Sequence, residues 1–93
     1  MNINIQSVHF KASEKLQAHV EAKVRKLSTQ NDKILRAEVK LFEDGNGHVK
    51  QFCEIRLSVP GDILIAKKGA PTYEEAVVDA VGALQRVLRE KKA

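Results

Sequence analysis

Three groups of basic side chains have the types and spacing to do chemistry together. Lys15, His19, Lys23 and Lys26 recur every three or four residues, Lys67 and Lys68 are adjacent, and Arg86, Arg89, Lys91 and Lys92 crowd the end of the sequence. Lysine and arginine clusters hold phosphate-rich partners, because each cation neutralises a phosphate and releases its counterions. The chemistry they imply is backbone binding to a polyanion. Sixteen Lys and Arg against twelve Asp and Glu leave a net charge of +4 and an isoelectric point near 9.4, which permits such a partner without establishing one. Exposed lysines on a helix are also ordinary solvation, so the row from Lys15 to Lys26 gains meaning only if the other sets join its surface.

Other chemistries find less support. His9, His19 and His48 fall in different segments without metal-ligand spacing, and Cys53 has no second thiol to pair with, so no metal, cofactor or internal disulfide is expected. Cys53 lies in an apolar-rich segment and reads as a buried thiol. Gly45-Asn46-Gly47 sits in an acidic stretch between two strands, where a phosphate-cradling loop would join a strand to a helix, so it reads as a turn. Neither Ser7 nor Ser13 has a base nearby in sequence, and catalysis is not expected. Aromatic residues make up 4% of the chain. Phe10, Phe42, Phe52 and Tyr73 are scattered, most are expected in the core, and a base-stacking platform is poorly supported. No apolar run approaches the roughly 18 residues of a membrane span, and the start resembles no export signal, so a cytoplasmic location is expected.

The elements that must position the basic groups follow from apolar periodicity. Ile3 and Ile5 alternate with Asn2, Asn4 and Gln6, which predicts a half-buried strand. Ser13 is a candidate N-cap, and Leu16, Val20, Val24 and Leu27 then form the stripe of a helix of about four turns. The basic row at Lys15, His19, Lys23 and Lys26 flanks that stripe. Gln30 to Lys33 reads as a loop, and Ala37, Val39 and Leu41 alternate with Glu38, Lys40 and Phe42 in a second strand. Across the turn-rich Glu43 to His48 segment, Cys53, Ile55, Leu57 and Val59 form a third. Pro60-Gly61-Asp62 supplies a short turn, and Ile63 to Ala66 reads as a fourth strand with Lys67, Lys68 and Gly69 at its end. Its apolar run hides which face is buried.

After Pro71, Thr72-Tyr73-Glu74-Glu75 has the T-x-x-E spacing of a capping box. Tyr73, Val77, Val81, Leu84 and Leu88 then trace the apolar stripe of a final helix. Glu74, Glu75 and Asp79 lie in its first turns and Arg86, Arg89, Lys91 and Lys92 in its last, as the helix dipole favours. The order is β-α-β-β-β-α in one domain, residues 1–93. The simplest architecture is α+β: a two-layer sandwich of a four-stranded antiparallel sheet with both helices on one face. On that face the three basic sets can become neighbours.

The sequence also resembles a known family. Met1-Asn-Ile-Asn-Ile-Gln-Ser, then Leu16-x-x-x-Val20-x-x-Lys23-x-x-Lys26-Leu27, and Ala66 followed by the Thr72-Tyr73-Glu74-Glu75-Ala76 helix together are similar to the ribosome hibernation-promoting factors, also known as ribosome-associated translation inhibitors or sigma-54 modulation proteins. The resemblance spans nearly the whole chain. It implies a double-stranded-RNA-binding-domain-like fold and a factor that binds small-subunit ribosomal RNA in the channel of messenger and transfer RNA, inhibiting translation under stress or in stationary phase. Lys23 and Lys26 match basic positions on the family's first helix and Arg86 one on its last, while Lys67, Lys68, Arg89, Lys91 and Lys92 match more loosely. Where the family often carries a further lysine one turn before Arg86, Ala83 stands here beside Gly82. The sequence ends soon after the helix, which suggests a short form that does not itself pair ribosomes. Stabilising idle ribosomes and assisting a separate ribosome-dimerising factor both stay open. Two alternatives share the residues: a generic duplex-RNA-binding module, and a protein-interaction regulator such as a sigma-factor modulator.

Overall fold

In the computed structural model, which describes residues 1–45 and 50–91 with the side chain of Lys91 excepted, local signals set the helix boundaries. Strand β1, Asn2–Ser7, leads to helix α1, Glu14–Arg25. The Ser13 hydroxyl caps α1 by accepting a 3.1 Å hydrogen bond from the Leu16 amide, which satisfies a donor that has no partner inside the helix. A 3-10 turn, Lys26–Thr29, extends α1, so Lys26 is the first residue of that turn and not part of the α-helix. Helix α2, Tyr73–Lys91, starts where Thr72 Oγ1 accepts from the Glu75 amide at 3.2 Å. Only this half of the expected capping box forms among the described residues.

Strands β2 (Arg36–Glu43), β3 (Gln51–Val59) and β4 (Asp62–Ala70) form a meander, with sheet order β1-β2-β3-β4. Val59 and Asp62 pair across Pro60-Gly61. Gly61 has φ +78°, the value a type II turn requires after a proline and one that side-chain-bearing residues rarely adopt. The turn expected at Gly45-Asn46-Gly47, between β2 and β3, includes Asn46 and Gly47, which with His48 lie outside the described residues. The sheet is mixed, against the expected antiparallel arrangement: β1 runs parallel to β2, with Ile3 opposite Ala37 and Ile5 opposite Val39. The reason is α1. A helix crossing over the sheet returns the chain to the end where β1 began, so the next strand must run the same way.

Both helices cover one face. Val20 and Val24 from α1, Leu27 from the 3-10 turn, Tyr73, Val77, Val81, Leu84 and Leu88 from α2, and Val39, Leu41, Cys53, Ile55, Leu57 and Leu64 from the sheet make one buried cluster. All five residues of the expected α2 stripe belong to it. The alternation along β4 resolves the apolar run from Ile63 to Ala66: Leu64 and Ala66 are buried, whereas Ile63 and Ile65 are 52% and 56% exposed on the other face. No helix among the described residues is long and apolar enough to cross a membrane.

Candidate nucleic-acid interface

β4 runs four residues past its expected end, because its ladder with β3 continues through Lys67, Lys68 and Gly69 to Ala70. Successive side chains of a strand point to opposite faces. Lys67 and Lys68 are therefore separated, and the expected basic pair does not form one surface. Lys68 lies on the helix side, where it lines an open notch with Val78, Asp79, Gly82 and Arg86 of α2. Lys67 lies on the open face, over Phe42 and Phe52.

The helix layer carries Lys23, Lys26, Arg86 and Arg89 on adjoining elements. His19 Nε2 is 3.4 Å from the Glu74 carbonyl oxygen, so the α1 flank bearing the basic row borders the start of α2. The 3-10 turn beyond α1 still contacts α2, which requires the two helices to run in the same direction from that point. At about 1.5 Å of rise per residue, Lys26 then stands roughly 10 Å farther along than His19, near the level of Val81, with Arg86 roughly 8 Å beyond it. Lys23 is half-buried, and Lys26, Lys68, Arg86 and Arg89 are exposed. Lys91 closes α2 and its side chain lies outside the described residues, as does Lys92 altogether.

Charge pairing separates spent cations from available ones. Arg25 Nη2 is 2.8 Å from Glu21 Oε1 and Arg36 Nε is 3.2 Å from Glu38 Oε1. Among the described residues Lys23, Lys26, Lys68 and Arg86 make no ion pair. Arg89 Nε reaches only its own helix, 3.5 Å from the Gln85 carbonyl. The surface is graded: Glu74, Glu75 and Asp79 make the start of α2 acidic around His19, whereas its far half carries Arg86 and Arg89. Phosphate contacts are electrostatically favoured towards that far half, with Lys26 on one flank of α2 and Lys68 on the other.

Two shifted titrations belong to the core. Burial, reinforced by Glu54, pushes the Cys53 thiol up to about 12, so it is a neutral packing group. Burial and then Glu43 raise the Tyr73 phenol above its ordinary value, and its ring stacks on Phe10 with centroids 4.9 Å apart. Among the described residues no group of three or more His, Cys, Asp or Glu side chains is arranged to hold a metal ion.

Phe42 and Phe52 depart from the expectation that most aromatics are core. They are half-buried on the open face, stacked with centroids 5.5 Å apart and planes 13° from parallel. Lys40, also absent from the expected site, holds its Nζ 5.3 Å from the Phe42 centroid. The signal was in the alternation: Phe42 shares the phase of Glu38 and Lys40, and Phe52 falls out of phase with Cys53, Ile55 and Leu57.

Several solved structures share this fold. The N-terminal domain of Protein Y from Thermus thermophilus superposes with a TM-score of 0.84 at 24% identity, over 97% of this chain and 98% of that one. A ribosomal subunit interface protein from Coxiella burnetii superposes with a TM-score of 0.85 at 17% identity, over 99% of this chain and 98% of that one. No curated protein matches the chain. Residues 3–93 match the family described as sigma 54 modulation protein / S30EA ribosomal protein, and the chain belongs to that family.

Proposed function

We propose that this chain is a non-enzymatic ribosome-associated factor. It binds ribosomal RNA of the small subunit in the channel used by messenger and transfer RNA, and so inhibits translation in stressed or stationary-phase cells. The observation that carries this reading is the set of cations Lys23, Lys26, Lys68 and Arg86 on the helix side, which make no ion pair among the described residues, in a chain of a family whose description includes a ribosomal protein. The name of the Coxiella protein, a ribosomal subunit interface protein, agrees with it. The mechanism is steric. Cations supply affinity for the RNA backbone, and the rigid two-layer shape supplies the fit and the block. The site of action is then the cytoplasm, and a separate ribosome-dimerising factor is a compatible partner.

Cosedimentation with purified small subunits tests this reading. Lys23→Glu, Lys26→Glu and Arg86→Glu together should abolish it while leaving the circular-dichroism spectrum intact, and unchanged cosedimentation rejects the assigned face. A generic duplex-RNA module would prefer neither small subunits nor free duplex RNA in competition. The family's description also favours a second reading, modulation of a sigma factor. Partner binding that survives nuclease and high salt would select it, since phosphate contacts weaken steeply as salt rises.

A further inference from the structure

The face of the sheet that the helices leave uncovered has no part in the reading above. Lys40, Glu54 and Lys67 form one row across β2, β3 and β4, and Phe42, Phe52 and Gly69 form the next. Lys67 Nζ sits almost equidistant from the two ring centroids, at 5.4 and 5.5 Å. Gly69 puts no side chain opposite Phe52, so from β4 it is Lys67 that reaches over this ring, and strand glycines allow another molecule to approach closely.

We propose that this open face is a second RNA surface, one that takes an unpaired nucleotide of a single strand with its base against Phe42 and Phe52 and its flanking phosphates on Lys40 and Lys67. Two stacked, half-buried aromatic rings on the two central strands of the sheet present apolar surface on the open face, and every base has a π-face that can pack against such rings. The lysines reach the rings only through long, exposed side chains and make no ion pair among the described residues. Transferring an ammonium from a ring to a phosphate therefore breaks only a weak contact. Glu54 stands between the lysines and directs phosphates to the two ends of the row. Across this face Arg36, Lys40, Arg56 and Lys67 outnumber Glu38 and Glu54, and Arg36 already pairs with Glu38, so the charge left over is positive. An acidic peptide would match that charge and leave the rings unfilled, which favours nucleic acid. Because this face lies opposite the helix layer, the proposal stands independently of the one above.

Fluorescence anisotropy with a labelled short oligouridylate and with a blunt RNA duplex tests it. Phe42→Leu with Phe52→Leu keeps apolar bulk and removes the π-face. It should weaken oligouridylate binding by about tenfold, the scale of one stacked base, and leave duplex binding unchanged. Lys40→Gln with Lys67→Gln disturbs no buried contact. It should weaken the same complex and flatten its salt dependence, which keeps the test decisive if the leucine variant folds poorly. The helix-side triple variant should still bind oligouridylate. Absence of oligouridylate binding by the parent protein, indifference to both double variants, or equal displacement by polyglutamate overturns the proposal.

Discussion

Lys67 and Lys68 are neighbours in the chain and work on opposite sides of the molecule. Lys68 stands in a notch beside Arg86 and Asp79 with no aromatic group among its lining residues, whereas Lys67 stands over two phenylalanine rings. The helix side offers cations on and beside packed helices, suited to the phosphates of a folded RNA. The open side offers flat rings with cations at their rim, suited to a base that is free to stack. Identical side chains thus acquire different chemistry from the face on which alternation leaves them.

Four experiments break or sharpen this contrast. The largest expected effect lies in the core that both faces share. Leu84→Ala beneath α2 should cost about 2–5 kcal/mol in urea denaturation, because Leu84 is fully enclosed. Phe42→Leu, on the half-exposed face, should cost less than about 1.5 kcal/mol. Equal losses would mean that the phenylalanines are structural after all. Next comes the split lysine pair. Lys68→Glu should weaken small-subunit binding and lower its salt slope by about one, while Lys67→Glu should leave both unchanged. Equal responses would erase the distinction between the faces.

A smaller effect is expected at Gly82, half-buried on the outer side of α2. A Cβ there would meet nothing closer than Arg86 Nη1 at 4.0 Å, and a helix-interior glycine costs about 1 kcal/mol relative to alanine. Gly82→Ala should therefore raise the denaturation midpoint and leave RNA binding on both faces in place. Loss of helix-side binding would show that the notch needs the bare backbone. The smallest signal is expected at Cys53, opposite Lys68 in the ladder but buried. Its thiol should resist alkylation at pH 8 in the parent and in every surface variant, so labelling would expose any variant whose layers have parted. Folding raises this pKa from 9.0 to about 12. The folded state thus holds a proton that the unfolded chain releases. The thiol's contribution to stability is whole below pH 9.0 and is lost as pH rises from there towards about 12.

Much of this molecule was legible in one dimension. Both helices, their Ser13 and Thr72 caps, the apolar stripes and the β-α-β-β-β-α order come from periodicities of 3.6 and 2, which are properties of a single element and need no partner to be read. The basic flank of α1 and the basic end of α2 were visible for the same reason. The phase of Phe42 and Phe52 was visible too, but the low aromatic content argued against a platform and outweighed it. The parallel pairing of β1, the length of β4 and the separation of Lys67 from Lys68 depend on which strand lies alongside, and no local pattern encodes a neighbour. The availability of Lys23, Lys26 and Arg86, when Arg25 and Arg36 are already paired, is likewise set by distances between side chains. Sequence alone determined which elements form and where their charges lie along each one. Only the tertiary structure decided which charges share a face, because pairing and layering place side chains relative to elements other than their own.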